Sequence, residues 1–492
     1  MTTVAPNTQS LRPPLREATP SRLTALDRLE LLCDSGSLRT IRSTVTSRFM
    51  GAKARPGDGV LGGSGLVDGR PVYVYAQDAS YAGGSLGAAH ADTIVRVLEL
   101  ARQARVPAVG FIESGGARMQ EGTAALGGYG RIFREHVASS GLIPQISVIC
   151  GTSAGGGCYA PALTDFVLMT RDAKMFLTGP GVVAEAMGED VTAEELGGTG
   201  VHEKNGVCQF VAQDDAEAIY VTRELLSYLP QNAYEAVPPR PYATYPGGDP
   251  AHCVPLEARK VYDVRDVIRT IADNGRLLEM SEKWARNMVT GFARIEGEAV
   301  GVIANQPKWL GGTIDAEASQ KAARFVRTCN SFGLPLVVLV DTPGFMPGTK
   351  QERAGVIRHG AKLLHAFAEA TVPKLTVVMR KAFGGAYITM NSRDLGADYA
   401  FAWPQAEIGV MAAKQAVGII SRREIAASDD PAATRDTLAA EYGEQHLGAE
   451  LAASQGFIDE VIAPRETHDR LAWALSSLPK PRERSHAGNI PL

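Results

Sequence analysis

The feature that most constrains the fold is an internal duplication of the chain. The segment that starts at Leu66 aligns, without a gap, with a similar segment that starts 228 residues later at Arg294. The landmarks that coincide in this register are Gly69 with Gly297, Gly83-Gly84 with Gly311-Gly312, Pro107 with Pro335, and Glu113 with Asp341. After one inserted residue the match continues at a spacing of 229, with Pro144 on Pro373 and Gly155-Gly156 on Gly384-Gly385. A register held through so many landmarks indicates two homologous halves.

Each half is predicted to contain the same order of elements. An alternating strand pair around a glycine turn comes first, and a helix with apolar residues at helical spacing follows. The next strands, at 108–112 and 336–340, are almost entirely apolar, which is typical of strands buried on both faces. Another strand, a Gly-Gly turn and another helix complete the unit. The pattern predicts an α/β layered fold built from repeated β-β-α units and present twice.

Four segments are predicted along the chain: a flexible N-terminal arm at 1–22, an N-terminal domain at 23–235, a linker at 236–257, and a C-terminal domain at 258–492. Six prolines and two glycines within 236–255 deny the linker a regular element. The last residues, 480–492, are too few for a domain, so we expect them to pack on a neighbour or to fray.

Composition and residue spacing exclude several functional classes. A net charge of only −4 does not supply the basic field that nucleic-acid binding needs. No apolar stretch approaches the roughly 18 residues that cross a bilayer, and no secretory signal is visible. The six cysteines form no C-x-x-C and the histidines no H-E-x-x-H, so we expect reduced thiols and no metal. A cytoplasmic protein fits these features.

The candidate chemistry lies in two glycine-rich turns, "GTSAGGGCYAPALTDF" from Gly151 and "RKAFGGAYITMNSRDLGADYAFAWP" from Arg380. Each turn follows an apolar strand and precedes a probable helix, whose first N–H groups have no partner inside the helix. With the helix dipole, such N–H groups form a cup for a developing oxyanion. Glycine pairs at such turns also serve merely to let a helix pack closely on a strand. Two cups at equivalent positions favour a reaction with two carbonyl groups.

Nucleotide-binding signatures are absent from this sequence. Neither G-x-G-x-x-G after the first strand of a βαβ unit nor G-x-x-x-x-G-K-[ST] occurs. A serine hydrolase is also disfavoured, because Ser114 and Ser153 lie near glycine turns but no histidine stands in an equivalent turn to act as base.

The longer motifs closely resemble the carboxyltransferase (β) subunits of acetyl-CoA and propionyl-CoA carboxylases, particularly those of actinobacterial type. The stretches that carry the resemblance are "IESGGARMQEG" from Ile112, "IPQISVICGTSAGGGCYAPALTD" from Ile143, "AARFVRTCNSFGLPLVVLVDTPGFMPG" from Ala322, "RKAFGGAY" from Arg380 and the final "GNIPL". They extend over both halves from about residue 23 to the end. The family's fold is a crotonase-like (ClpP/crotonase) superhelix in two duplicated domains, which agrees with the duplication.

The resemblance also implies an assembly and a partner. Members form homo-hexamers in which the N-terminal half of one subunit faces the C-terminal half of another. A separate α subunit supplies biotin carboxylase and the biotin carboxyl carrier, so biotin arrives on a partner and the substrate is a coenzyme A thioester. In this chain only "DAKMF", from Asp172, approaches the Met-Lys-Met that carries biotin, and we expect it to be structural. Hence the polypeptide should not carboxylate acyl-CoA alone.

The resemblance assigns roles to specific residues. Gly155, Gly156 and Gly157 line the cup for the acyl thioester oxygen, and the N–H pair that donates is left open. Gly385 and Ala386 line the cup for the biotin carbonyl. The family's CoA-binding region corresponds to Ser114, Gly115, Gly116, Ala117 and Arg118, where Arg118 either faces a phosphate or forms a structural ion pair. No protein nucleophile is required.

Substrate choice is predicted from one position. In the family, propionyl-preferring members usually carry Asp three residues past the biotin-side glycine, whereas acetyl-preferring or relaxed members carry an apolar residue. Ile388 stands there, which favours acetyl-CoA with tolerance for propionyl- or butyryl-CoA. A biotin-dependent acyl-CoA decarboxylase subunit is the main alternative. Whether the product serves fatty-acid synthesis or polyketide extension stays open.

Overall fold

The computed structural model describes residues 22–242, 247–257, 259–479 and 488–489. The arm predicted at 1–22 therefore lies, except for its last residue, outside the described residues. Within them no helix is both long and apolar enough to span a membrane.

Among the residues that the structure describes, the N-terminal half contains eight strands and eight α-helices. Its strands are β1 (Arg39–Ile41), β2 (Val60–Val67), β3 (Arg70–Gln77), β4 (Ala108–Ser114), β5 (Gln145–Ala154), β6 (Phe166–Thr170), β7 (Lys174–Phe176) and β8 (Phe210–Ala212). Its helices are α1 (Ala25–Leu32), α2 (Ala88–Ala104), α3 (Thr123–Ser139), α4 (Gly156–Ala162), α5 (Pro180–Met187), α6 (Ala193–Gly197), α7 (Thr199–Asn205) and α8 (Asp215–Tyr228).

The described part of the C-terminal half contains eight strands and ten helices. Its strands are β9 (Leu278–Met280), β10 (Met288–Ile295), β11 (Glu298–Asn305), β12 (Leu336–Thr342), β13 (Lys374–Phe383), β14 (Tyr399–Ala402), β15 (Glu407–Gly409) and β16 (Glu460–Val461). Its helices are α9 (Val264–Ile271), α10 (Ala316–Ser331), α11 (Thr349–Arg353), α12 (Val356–Glu369), α13 (Gly384–Thr389), α14 (Ala413–Ile420), α15 (Arg422–Ala427), α16 (Pro431–His446), α17 (Ala449–Ser454) and α18 (Thr467–Ser477).

The two halves form sheets of the same topology. The first sheet runs β1-β2-β3-β4-β5-β6-β8, with β7 paired to β5, and the second runs β9-β10-β11-β12-β13-β14-β16, with β15 paired to β13. In both sheets the first two pairings are antiparallel and the others parallel. The α/β fold and its duplication are therefore confirmed.

The duplication extends to the hydrogen-bond register. Tyr73 pairs with Ala108 in the first sheet, and Gly301 with Leu336 in the second, so both partners are shifted by the same 228 residues. The next pairing joins Ala108 to Gln145 and Leu336 to Lys374. Each of these strand pairs then shifts register at the same place, immediately before Ser114 and before Thr342. Equivalent strands therefore end at equivalent points.

Burial explains why these segments form these elements. All seven residues of β4 and all seven of β12 are buried, as expected for parallel strands covered on both faces. The apolar face of α2 packs Ile94, Val97, Leu98 and Ala101 into the core. Helical spacing thus places one stripe of α2 against the sheet.

One hydrophobic core joins the two halves. The ring of Phe292 on β10 packs against Phe166 of β6 at 6.1 Å, Tyr228 of α8 at 5.9 Å and Phe325 of α10 at 5.2 Å, measured between ring centroids. Each half also has a smaller cluster of its own. The two sheets are therefore packed together through a shared core.

The linker and the tail differ in how they are held. Between α8 and α9 the described residues contain only a short 3₁₀ turn, Pro250–Cys253, which fits the irregular structure predicted for 236–257. At the other end Asn489 is buried, and its amide donates to Thr328 Oγ1 at 2.8 Å. This part of the tail packs on its own chain.

Candidate active site

The first glycine turn connects β5 to α4. Gly155 has φ +58°, which glycine adopts without the steric cost of a Cβ, and its N–H donates to the carbonyl of Phe176 at 3.1 Å. Gly156 and Gly157 occupy the first turn of α4, where a helix provides no acceptor. Among the described residues no loop carbonyl or side chain accepts a hydrogen bond from either N–H group. The available donor pair is therefore Gly156 and Gly157, a choice that the sequence left open.

Close packing fixes the position of this donor pair. A Cβ added to Gly156 would lie 2.7 Å from the ring of Tyr129 on α3, and one added to Gly157 would lie 3.0 Å from Ser153 Oγ. The Ser153 hydroxyl donates to the carbonyl of Gly157 at 2.8 Å. Any side chain at Gly156 would displace the turn from the ring.

The second glycine turn connects β13 to α13 and repeats the first. Gly384 has φ +59° and stands where Gly155 stands in the other half. Gly385 is exposed, and a Cβ there would have Phe345 Cε2, at 4.0 Å, as its nearest neighbour. The Ala386 side chain is fully buried. Again no described loop carbonyl or side chain accepts from the N–H groups of Gly385 and Ala386.

The predicted CoA turn lies beside the first glycine turn. Ser114 pairs with Ser153 across β4 and β5, and a Cβ on Gly116 would lie 3.4 Å from the carbonyl of Ala154. Ser114 Oγ accepts the N–H of Gly116 at 3.2 Å, whereas Gly115 is exposed. Leu86 forms a bridge with Ala117. The structure thus gathers these residues at the same edge of the sheet as Gly156 and Gly157.

Arg118 requires a correction. Its side chain is fully buried, and Nη1 lies 2.6 Å from Asp58 and 2.9 Å from Glu121. Nη2 donates to the carbonyl of Ser85 at 2.9 Å. A guanidinium enclosed by two carboxylates does not face a phosphate in solvent, so Arg118 forms the structural ion pair that was the alternative. It holds the CoA turn against the loop that precedes α2.

Ile388 lies on α13, one helical turn beyond Gly385. Its side chain is 46% exposed, so it can contact a bound molecule or another subunit. It lies on the short helix that begins at the second glycine turn.

The buried ion pairs beneath both turns could not be identified from the sequence. Arg28 of α1 lies 3.1 Å from Glu113 and 2.9 Å from Asp215. In the other half Arg380 lies 3.0 Å from Asp341, the residue equivalent to Glu113. Glu113 and Asp341 were visible as landmarks, but their arginines come from non-equivalent positions, 85 and 39 residues away. No local spacing could have revealed them.

The groups beside the first turn do not form a nucleophilic site. Burial raises the pKa of the Cys158 thiol to about 12, and Sγ lies 2.9 Å from the carbonyls of Ser153 and Phe176. Such a thiol stays protonated and unreactive at neutral pH. The Ser153 hydroxyl is used by Gly157, and no hydrogen bond joins it to a histidine in the described part of the chain. The arrangement can hold negative charge but offers no activated nucleophile.

Comparisons with known proteins agree with this geometry. The family model "Carboxyl transferase domain" matches residues 16–488. The propionyl-CoA carboxylase carboxyltransferase subunit of Haloferax mediterranei is 47% identical over 96% of this chain and 94% of its own length. The methylmalonyl-CoA decarboxylase subunit alpha of Veillonella parvula is 45% identical over 96% of this chain and 93% of its own length. The crystal structure of transcarboxylase 12S, a hexamer with methylmalonyl-coenzyme A bound, superposes with a TM-score of 0.91 at 46% identity, covering 96% of this chain and 93% of that one.

Two crotonase-like domains in one chain, each with a glycine turn at an equivalent strand end, place the protein in the carboxyltransferase class. The chain belongs to the carboxyl transferase family, among the carboxyltransferase (β) subunits of biotin-dependent acyl-CoA carboxylases. It is therefore an enzyme subunit.

Proposed function

We propose that this chain transfers a carboxyl group from carboxybiotin, presented by a partner subunit, to the α-carbon of a short-chain acyl-CoA. The observation that carries the proposal is the pair of free donor sets, Gly156-Gly157 and Gly385-Ala386, at equivalent ends of the duplicated strands. Carboxyl transfer of this kind places negative charge on two carbonyl oxygens in turn, so two donor sets are the minimum required.

Each donor set has one role in this reaction. Biotin supplies the carboxyl group and a nitrogen that accepts the α-proton. The N–H groups of Gly156 and Gly157 hold the thioester oxygen while it carries the charge of an enolate. The N–H groups of Gly385 and Ala386 hold the biotin carbonyl oxygen. Removing one such donor in acyl-transfer enzymes lowers kcat by about 10²–10³-fold.

The second turn fits a biotin carbonyl. Gly385 is exposed, and the space where its Cβ would be is open up to the ring of Phe345. A flat ureido group can therefore approach the backbone without displacing a side chain. The first turn, enclosed by Tyr129 and Ser153, fits the smaller thioester oxygen. These differences support the assignment of acyl-CoA to the N-terminal half and biotin to the C-terminal half.

A second copy of the chain is proposed to complete the site. Exposed apolar side chains follow each turn, Val182 and Met187 on α5 and Ile419 and Ile420 on α14. Both helices follow the short strands, β7 and β15, that pair beside the glycine turns. Burying these helices between subunits would stabilise an assembly. The hexamer described for transcarboxylase 12S supports a hexamer here.

Propionyl-CoA is the first substrate to test. The similar carboxylase subunit is named for propionyl-CoA, and the similar crystal structure holds methylmalonyl-CoA, its carboxylated product. These relatives do not support a specific preference for acetyl-CoA, which rests on Ile388 alone. We therefore propose propionyl-CoA as the main substrate with acetyl-CoA and butyryl-CoA as competitors.

The decarboxylase remains the second candidate. A methylmalonyl-CoA decarboxylase subunit is 45% identical over nearly the same length, and the same two donor sets would serve the reverse transfer. The direction is decided by the partner, because ATP-driven carboxylation of biotin belongs to another chain.

The test combines the purified chain with a biotin carboxylase and carrier subunit, ATP and labelled bicarbonate. Acetyl-, propionyl- and butyryl-CoA are compared by kcat/KM, and we expect label in methylmalonyl-CoA only when both proteins are present. Fixation by the chain alone, or none with any acyl-CoA, would contradict the proposal. Transfer of the labelled carboxyl group from methylmalonyl-CoA to the carrier, without ATP-dependent fixation of bicarbonate, would favour the decarboxylase.

A further inference from the structure

Tyr129 is the side chain in closest contact with the acyl-side donor pair. It lies on α3 and is 5% exposed. Three carbons of its ring would be 2.7–2.8 Å from a Cβ on Gly156, so the glycine backbone rests directly on the ring face. Its ring is followed on the same helix by that of Phe133, at 5.9 Å. The position of the Gly156 N–H therefore depends on this ring.

The hydroxyl of Tyr129 is buried, and no group forms a hydrogen bond of good geometry with it. It would be 3.8 Å from a Cβ on Gly157, on the side where Ser153 and Ser114 also lie. The Ser153 proton is already donated to Gly157. Burial raises the pKa of Tyr129, and the neighbouring Ser114 hydroxyl lowers it by a smaller amount. A buried hydroxyl without a well-formed hydrogen bond is costly, so a native structure that keeps one needs a reason.

The second glycine turn provides a comparison within the same molecule. Ala382 pairs with Thr342 where Ser153 pairs with Ser114, and the ring beside Gly385 is Phe345, which has no hydroxyl. The fold can therefore build and support a donor pair without Tyr129 Oη or Ser153. The hydroxyl is a property of the acyl-CoA side.

We propose that Tyr129 is a positioning residue for acyl-CoA, a role that rests on the function proposed above. Its ring holds the Gly156-Gly157 donor pair in place, and its hydroxyl lies beside Ser114, whose Oγ accepts the N–H of Gly116 in the predicted CoA turn. A hydroxyl that orders this turn contributes to acyl-CoA binding. The ring contact exists throughout and contributes to the chemical step.

Two substitutions, assayed in the complex with the partner subunit, distinguish the role of the ring from the role of the hydroxyl. Tyr129→Phe keeps the ring and is expected to raise KM for acyl-CoA about fivefold, the usual effect of one hydrogen bond, with kcat within about twofold of wild type. Tyr129→Leu removes the ring and is expected to lower kcat at least tenfold more than Tyr129→Phe, because the donor pair is no longer held. Unchanged KM in Tyr129→Phe overturns the role of the hydroxyl.

Phe133→Leu is the matched control, because Phe133 lies one helical turn away and its ring does not appear among the nearest neighbours of either glycine. It removes an aromatic ring from the same helix and is expected to leave kcat and KM near wild type. Equal loss of kcat in Phe133→Leu and Tyr129→Leu would overturn the role of the ring. Calorimetric titration of each variant with acyl-CoA, without the partner, separates this inference from the proposed function. Wild-type binding that weakens in Tyr129→Phe supports the inference even if no carboxylation is found.

Discussion

The same substitution at the two equivalent glycines is expected to have opposite effects on stability. In Gly156→Ala the new methyl would lie 2.7 Å from the Tyr129 ring, so ring and turn must separate to an ordinary contact of about 3.4 Å. Forcing an extra methyl into a packed interior costs about 1–3 kcal/mol. In Gly385→Ala the methyl meets only Phe345, at 4.0 Å, and α13 gains up to about 1 kcal/mol because alanine favours helix.

Activity is expected to fall in both variants, for different reasons. Gly156→Ala displaces one donor of the acyl-side pair, which predicts a loss of about 10²–10³-fold in kcat. Gly385→Ala leaves the backbone in place but puts a methyl where the biotin carbonyl approaches. We expect at least a tenfold loss in carboxylation with acyl-CoA binding unchanged, since the acyl side is untouched.

The assay measures urea unfolding of each purified variant, followed by carboxylation in the presence of the partner subunit. A third variant, Tyr129→Leu combined with Gly156→Ala, tests the cause of the instability. If the methyl added at position 156 clashes with the Tyr129 ring, Gly156→Ala lowers the free energy of unfolding only slightly once that ring is absent. The losses of stability from the two substitutions are then not additive. Equal stability of Gly156→Ala and Gly385→Ala, or additive effects in the double variant, would refute the reasoning.

Three further changes have expected outcomes. Arg28→Met leaves the buried Asp215 carboxylate without its cation and leaves Glu113 paired with the largely exposed Arg22, and urea unfolding is expected to show a loss of about 3–5 kcal/mol; a loss below about 1 kcal/mol contradicts this. Burial raises the pKa of Asp165 to about 6, so the folded chain binds this proton more tightly than the unfolded chain, and stability from this group rises as pH falls from about 6 to 4. Asp165→Asn is expected to remove that gain, at most about 3 kcal/mol, in unfolding curves against pH, and an unchanged pH profile contradicts it. Ile388→Asp is expected to change the ratio of kcat/KM for propionyl- and acetyl-CoA by about tenfold; an unchanged ratio removes Ile388 from substrate selection.

The sequence by itself determined the duplication, the order of elements and the position of both glycine turns. These features are local or repeated: a strand shows in a run of apolar residues, a helix in its spacing, and a sharp turn in its glycines. The alignment of the halves predicted that both would be built alike, and the equivalent strands of the two sheets do pair in equivalent registers. The motifs were specific enough to indicate the family as well.

Only the tertiary structure decided which groups surround the turns. The Gly155 N–H is spent on Phe176, the Tyr129 ring lies under Gly156, and Arg118 is enclosed by carboxylates instead of facing a phosphate. Glu113 pairs with Arg22 and Arg28 from the start of the chain, whereas Asp341 takes its cation from a neighbouring strand. Such contacts join residues tens of positions apart, and their geometry depends on how whole elements pack. Local spacing carries no record of that packing, so the donors were visible in the sequence and their supports were not.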